Sequence, residues 1–327
     1  MATNLTFFFK LVGSLLVSFL LSIFFTKKVI EISNKKKATQ IEREYLDNHI
    51  AKKGTPTMGG IGFVLSSVIS FFLFNFNSSL GYSVLAVLLS YIGFFLIGFV
   101  DDYLKIKIKS YAGLSAKIRI LLEIVLCMYV VLLLKEGGFT LDRLYLPLLN
   151  NFVETAYLFL PFFLIVLIGS ANAINLSDGL DGLASGLSMI ALTPFLLISL
   201  DTGNYQLTLL LVSIVGALIG FLFFNFHPAK IFMGDCGSLA LGGVLGASSI
   251  VLDSEIILGV AGFVFVIEAI SVIIQVSYYK MTHKRIFLMA PLHHHFEKKG
   301  WQEWKVVMVF YLVGCFASML AIIIEVI

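Results

Sequence analysis

Between two long apolar runs the chain reads NAINLSDGLDGL, residues 172–183, and four of its side chains end in oxygen donors: Asn172, Asn175, Asp178 and Asp181. They recur every third residue, so a continuous helix would set each about 60° behind the last and gather all four on one side. Hard oxygen donors suit a hard cation or the hydroxyl and amide donors of a polar ligand. Gly179 and Gly182 would let the backbone turn or come close to it. A solvated loop capped by aspartate would use the same letters.

Three other stretches carry comparable chemistry. Asp101 and Asp102 directly follow an apolar run in GFVDDYLKIKIKS, and Lys105 and Lys109 continue from Asp101 at one-turn intervals, an alternating acidic and basic face. Adjacent helical residues point about 100° apart, so the two aspartates cannot both aim at one atom. Carboxylates at a membrane edge are costly to keep and mark function. Asp235 stands between glycines in FNFHPAKIFMGDCGS, just before an apolar run, where helix N-H groups gather and anions bind. There it serves either as an N-cap or as a metal ligand that brings a phosphate to the helix terminus.

Lys52 and Lys53 precede the glycine-rich segment GTPTMGG, a phosphate-binding arrangement, although positive-inside anchoring would use lysines equally well. Glu268 and Gln275, seven residues apart, share a helix face and either line a cavity or bond to a neighbouring helix. His293, His294 and His295 follow Pro291; consecutive residues point in three directions, which argues against zinc and for contact with a phosphate or nucleoside.

The elements that must position these residues are membrane helices. Of the 327 residues 59% are hydrophobic and only 13% charged, where soluble domains carry about 25%. Ten spans are predicted, over residues 5–26, 58–76, 80–100, 116–134, 157–176, 182–200, 206–226, 237–252, 255–278 and 304–327. Each approaches the roughly 20 residues that cross a bilayer, and the eighth is short enough to need burial or a thinned bilayer. With ten spans, all but three of the 23 Lys and Arg residues fall on one side, leaving Lys10, Lys135 and Arg143 on the other. The positive-inside rule therefore places both termini outside and every motif-bearing loop in the cytoplasm. The expected fold is an all-α integral membrane protein, one polytopic domain over residues 1–327. The three cysteines lie in or beside apolar spans without metal-type spacing and read as packing residues.

Taken together, VDDYLK, NAINLSDGLDGLASG, FNFHPAKIFMGDCGS and APLHHHFE resemble, along nearly the whole chain, the polyprenyl-phosphate N-acetylhexosamine-1-phosphate transferase superfamily. GTPTMGG and the histidine motif resemble the branch that takes UDP-MurNAc-pentapeptide. The resemblance implies an enzyme of the bacterial cytoplasmic membrane that uses Mg²⁺ and moves phospho-MurNAc-pentapeptide to undecaprenyl phosphate, giving lipid I and UMP. It implies that Asp101 is the base at the lipid phosphate, that Asp102 orients it or assists the metal, and that Asp235 is the Mg²⁺ ligand. Lys105, Lys109 and Lys117 are similar to phosphate-facing lysines of the family. Lys53, Asn172, Asn175, Asp178, Asp181, Asn225, Phe232, Gln275 and His293 to His295 fall in its donor-binding region. A homodimer is a reasonable assembly for the family, and no nucleic acid partner is expected.

Attack of a phosphate oxygen on a pyrophosphate joins two anions, so it needs charge neutralisation by metal and lysine. Direct attack and a phospho-aspartate on Asp235 or Asp101 both satisfy the residue types. A sibling transferase using UDP-GlcNAc would differ at the histidine motif. A cation-coupled transporter would put carboxylates near mid-span, whereas Asp101, Asp178, Asp181 and Asp235 all sit at span ends.

Overall fold

The computed structural model describes residues 2–36, 54–76, 78–108 and 113–326. Lys53 and Lys109 lie outside them. Helices α1 (Ala2–Lys36), α2 (Gly60–Phe74), α3 (Tyr82–Ile108) and α4 (Ala116–Glu136) come first. An antiparallel hairpin of β1 (Arg143–Leu146) and β2 (Asn151–Glu154) follows, with Arg143 opposite Glu154 and Tyr145 opposite Phe152. Then come α5 (Phe159–Ser177), α6 (Leu183–Asp201), α7 (Tyr205–Asn225), α8 (Asp235–Val251), α9 (Glu255–Ala261), α10 (Phe263–Thr282), α11 (Leu292–Lys298) and α12 (Glu303–Val326). Seven of the helices are long and apolar enough to cross a membrane, and α2 and α8 are shorter apolar helices.

α8 is the axis of the packing. Every residue from Cys236 to Val251 is buried, so a helix of 17 residues, about 25 Å long, need not meet lipid along its own length. Its composition makes this workable. In lipid, helices associate through close backbone approach and serine hydrogen bonds, because apolar side chains gain little by leaving lipid tails. Gly242 and Gly246 lie against Ala171, Ser170 and Leu167 of α5, and Gly243 lies against Phe94 of α3. Ser170 donates to the Gly242 carbonyl at 2.8 Å. On the far side, Gly216 and Gly220 of α7 receive Leu15 and Phe19 of α1, and Ser14 bonds Ser213 at 2.5 Å.

The tightest of these approaches is at Gly98 of α3. A Cβ there would stand 2.2 Å from the carbonyl oxygen of Asp235 and 2.6 Å from the Cys236 nitrogen. The α3 backbone therefore rests directly on the start of α8, and only glycine admits it. This contact sets Asp101 and Asp102, one turn further along α3, beside Asp235.

Three features depart from the sequence expectation. The ninth span is not one helix, because it breaks at Gly262 into α9 and α10. The segment between α4 and α5 holds a β-hairpin, an element outside the all-α expectation. The oxygen stripe is not continuously helical: α5 stops at Ser177, Asp178 takes the C-cap, and Gly182 with φ +80° completes a turn into α6. Asn172 and Asn175 share a helical face, while Asp178 and Asp181 project from the turn.

The sidedness read from the basic residues is open to direct labelling. In a Cys315→Ala background, since Cys315 is the exposed cysteine, Ser78→Cys and Tyr157→Cys are expected to react with a membrane-impermeant maleimide on intact cells. Lys298→Cys should react only after permeabilisation. The reverse pattern would move the carboxylates described below to the outer face.

Candidate active site

Asp101, Asp102 and Asp235 come together at the junction of α3 and α8, their carboxylate oxygens within 4.8 Å of one another. Lys105 joins Asp101 to Asp235, and Asp102 is held by the α8 backbone. Asp101 accepts the Leu114 N-H at 2.6 Å and pairs with Lys105 at 2.5 Å, one turn along the same helix. Asp102 accepts the Cys236 N-H at 3.0 Å, so it caps the first turn of α8 from outside that helix. Gly234 makes room for this: its φ is +77°, and a Cβ would sit 2.5 Å from Asp102 Oδ2. The two adjacent aspartates do diverge, yet both border one small space with Asp235 as the third wall.

Asp235 is the most heavily contacted of the three. Lys105 Nζ donates to its Oδ2 at 2.8 Å, Arg119 stands 3.6 Å from the same oxygen, and Asn175 donates to Oδ1 at 2.7 Å. Asn175 Nδ2 also donates to Ser238 at 2.9 Å. Behind this layer, Arg119 Nε donates to Glu123 at 3.1 Å and its Nη2 to Asn172 at 2.9 Å, while Asn172 Nδ2 donates to the second Glu123 oxygen at 3.2 Å. Glu123 is completely buried. Each of its oxygens has a donor, Arg119 Nε on one and Asn172 Nδ2 on the other, as a buried carboxylate requires.

Arg119, Glu123 and Ser238 are absent from the residues picked out by sequence. In the sequence Arg119 is one of the twenty basic residues assigned to the cytoplasmic side, and Glu123 sits in an apolar run without a motif. The one available signal was the i, i+4 spacing of an Arg and a Glu inside a membrane span, where ionisable groups are expensive. Glu123→Gln keeps the shape and removes the charge that anchors Arg119. It is expected to lower the melting temperature and cut turnover about tenfold, because breaking a buried pair strands the surviving charge. A variant with wild-type melting and turnover would show the pair to be dispensable.

Asp178 lies in the turn after α5, near the carboxylate cluster but outside the helices. Burial, then the nearby Asp235, Asp102 and Asp181 charges, push its carboxyl up to about 8. A cation in the neighbouring space would counter that repulsion. Asp181 is committed differently. It accepts the Ala229 N-H at 3.0 Å and bonds His227 at 3.1 Å, while its own N-H donates to Glu303 at 2.7 Å. These contacts tie the α5–α6 turn to the loop after α7 and to the start of α12.

The remaining candidates divide between surface and scaffold. Lys117 is exposed on the first turn of α4, and Phe232 is half-buried with its backbone bonded to Pro56 and Gly59. Asn225 receives Ser185 and donates to the Ile231 carbonyl at 3.0 Å, bracing the loop that delivers Asp235. Gln275 holds the loop before the histidines by accepting the Ile286 and Phe287 N-H groups and donating to the Phe287 carbonyl.

The histidines begin α11 and do point in three directions. His293 is fully buried, with Glu268 receiving its backbone N-H at 3.0 Å and bonded to its Nδ1 at 3.0 Å. Its Nε2 faces Gly179, where a Cβ would come within 2.3 Å. His294 bonds Glu297 at 2.7 Å. His295 Nδ1 accepts the Leu288 N-H at 3.1 Å. Thus Glu268, read as a cavity lining or an interhelical bond, is the partner that fixes His293 beside the Asp178–Gly179 turn.

What this arrangement can do is hold negative charge against positive. Three carboxylates offer hard oxygens to a divalent cation, and Lys105 and Arg119 offer cations to phosphate oxygens, while the N-H groups of Cys236, Gly237 and Ser238 in the first turn of α8 are taken by Asp102 and the Gly234 carbonyl.

The profile of Glycosyl transferase family 4 matches residues 84–253, which takes in both aspartates of α3, the α5–α6 turn and Asp235. Over 315 residues the chain is 41% identical to the phospho-N-acetylmuramoyl-pentapeptide-transferase of Halalkalibacterium halodurans, covering 96% of this chain and 97% of that one. It is 42% identical over 309 residues to that of Lactobacillus gasseri, covering 94% and 96%. With the Bacillus subtilis enzyme of the same name it shares 39% over 315 residues, 96% and 97% of the two chains. With identity of this degree running almost end to end, and with the carboxylate cluster inside the matched region, the chain belongs to the phospho-N-acetylmuramoyl-pentapeptide-transferase family.

Proposed function

We propose that the protein transfers phospho-MurNAc-pentapeptide from UDP-MurNAc-pentapeptide to undecaprenyl phosphate in the bacterial cytoplasmic membrane, releasing UMP and leaving lipid I. The observation that carries this reading is the gathering of Asp101, Asp102 and Asp235 within 4.8 Å, with Lys105 and Arg119 against Asp235. Like charges are costly to place together unless a cation joins them. Phosphoryl transfer between two anions is chemistry that uses such an arrangement.

The donor set fits Mg²⁺, being all carboxylate oxygen and lacking sulfur or a facing imidazole. Asp235 holds the ion in this reading, with Asp102 or Asp101 beside it. When bound, Mg²⁺ supplies charge neutralisation on the pyrophosphate.

The protein's own groups do the rest. Asp101 takes a proton from the acceptor phosphate, whose oxygen then bonds to the sugar-side phosphorus as the bond to the UMP oxygen breaks. Lys105 already contacts Asp101 and Asp235 and is placed to follow charge as it shifts from acceptor to leaving group. Arg119 and Asn175 hold the Asp235 carboxylate in orientation, so little reorganisation is needed when charge develops. The histidine helix recognises the donor, with His293 fixed by Glu268 against the turn that carries Asp178.

The test is product formation by purified protein offered undecaprenyl phosphate and one of two donors. UDP-MurNAc-pentapeptide should yield a lipid-linked product, and UDP-GlcNAc should yield none. Product from UDP-GlcNAc alone would assign the chain to the sibling reaction.

A further inference from the structure

The carboxylate cluster occupies one end of α8, and a second polar site lies at the other. A cavity of about 250 Å³ is lined by Gly137, Gly138, Phe139, Thr140, Arg143 and Asp253. Asp253 follows the last turn of α8, so this cavity is separated from Asp235 by the length of that helix, about 25 Å, most of the roughly 30 Å of a bilayer core. It belongs to the opposite membrane face, and neither the family resemblance nor the proposed reaction gives it a role.

Its two charged groups feel each other's charge without meeting in a close ion pair. Arg143 and Asp253 share the cavity, but no ion pair joins them among the described residues. Arg143 is held by its flat face, with its guanidinium carbon 4.0 Å from the centre of the Phe152 ring, and its Nε is buried without a hydrogen-bond partner. A buried donor left unmatched costs stability unless something accepts from it. Asp253 sits in the left-handed region with φ +51°, which presents its carboxylate from a tight turn. Gly138 at φ +80° has nothing within 4 Å of where a Cβ would stand, so the cavity wall there is bare backbone.

The same hairpin that carries Arg143 is apolar on its surface. Leu148 and Leu149 at its tip are each 72% exposed, and Tyr157 and Leu158 just beyond it are 96% and 72% exposed. Leucine and tyrosine on a segment that joins two membrane helices fit the bilayer interface, with tyrosine at headgroup level. A cavity with one cation and one anion not joined in a close ion pair, beside residues that suit acyl chains, matches a headgroup carrying both signs.

We propose that this cavity seats the headgroup of a phosphatidylethanolamine, its phosphate on Arg143 and its ammonium on Asp253, with the hairpin lying on the same leaflet. The ammonium must have N-H groups to bond Asp253, so phosphatidylcholine lacks the second contact, and phosphatidylglycerol lacks the cation altogether.

Native mass spectrometry of the detergent-purified full chain tests this, using phosphatidylethanolamine, phosphatidylcholine and phosphatidylglycerol with identical acyl chains at equal concentration. The wild type should retain phosphatidylethanolamine above the other two. Arg143→Ala should reduce that retention about tenfold, as loss of a charge-assisted bond implies. Asp253→Gly tolerates the same positive-φ backbone, removes the acceptor and should abolish the preference over phosphatidylcholine. UMP release by both detergent-solubilised variants should stay at the wild-type level, which separates loss of lipid from loss of fold. Equal retention of the three lipids by the wild type would overturn the proposal. So would a preference that survives both substitutions.

Discussion

Asp101→Asn, Asp102→Asn and Asp235→Asn are each expected to give a folded protein whose UMP release is down by about 10² or more, the usual scale for charged groups at a reacting phosphate. The substitutions keep volume and remove one charge. Asp235→Asn should be the most damaging, since Lys105, Arg119 and Asn175 all converge on that carboxylate. An amide there would leave the two cations facing a neutral group and present its own NH₂ to one of three donors. Asp102→Asn keeps an oxygen that can still accept the Cys236 N-H, so its loss should be catalytic and its melting temperature close to wild type. Turnover within a few-fold of wild type in all three would remove the cluster from the reaction.

The second large effect is predicted away from any charged residue. Gly98→Ala puts a methyl group 2.2 Å from the Asp235 carbonyl oxygen, where both partners are helix backbone and neither can rotate away. α3 and α8 must then separate by the order of an ångström, and overpacking of this kind costs about 1–3 kcal/mol. The same shift pulls Asp101 and Asp102 from Asp235, and a displacement on that scale in a transfer site can cost about 10²-fold in rate. A large fall in turnover together with a lower melting temperature is therefore expected. Wild-type turnover in Gly98→Ala would mean that the carboxylates need not be held at the distance seen here.

Much of the candidate site was readable because membrane chemistry makes polar letters conspicuous. Asp101-Asp102 and Gly234-Asp235 interrupt apolar runs, and a bilayer tolerates few such interruptions without a use. Spacing also predicted correctly that Lys105 would return to Asp101. The oxygen stripe was read one step too far. Its three-residue period is helical on paper, but a turn through Gly182 diverts Asp181 to His227 and Glu303, and no local pattern announces partners 46 and 122 positions away. Arg119 and Glu123 were illegible for the opposite reason, since their value lies in Asn172 and Asn175 on another helix.

At the level of the fold, hydropathy located the helices but not their relations. Each of the ten predicted spans contains a helix, yet hydropathy could not see the break at Gly262, because residues on both sides are apolar. The shortness of α8 leaves burial and a thinned bilayer both open, and the helix is buried. That α3 and α5 enclose it follows from Gly98, Gly242, Gly243 and Gly246, whose roles depend on what faces them.

Whether the carboxylate cluster works through a divalent cation decides the proposed mechanism. The direct measurement is UMP release by purified protein from UDP-MurNAc-pentapeptide and undecaprenyl phosphate, first after chelation and then as Mg²⁺ is returned stepwise, with Asp235→Asn run beside the wild type. Negligible release by the chelated wild type, saturable recovery with Mg²⁺ and a variant that recovers little at any concentration are expected. Full turnover by the chelated wild type, or an Asp235→Asn curve that overlays the wild type, would contradict the proposed mechanism.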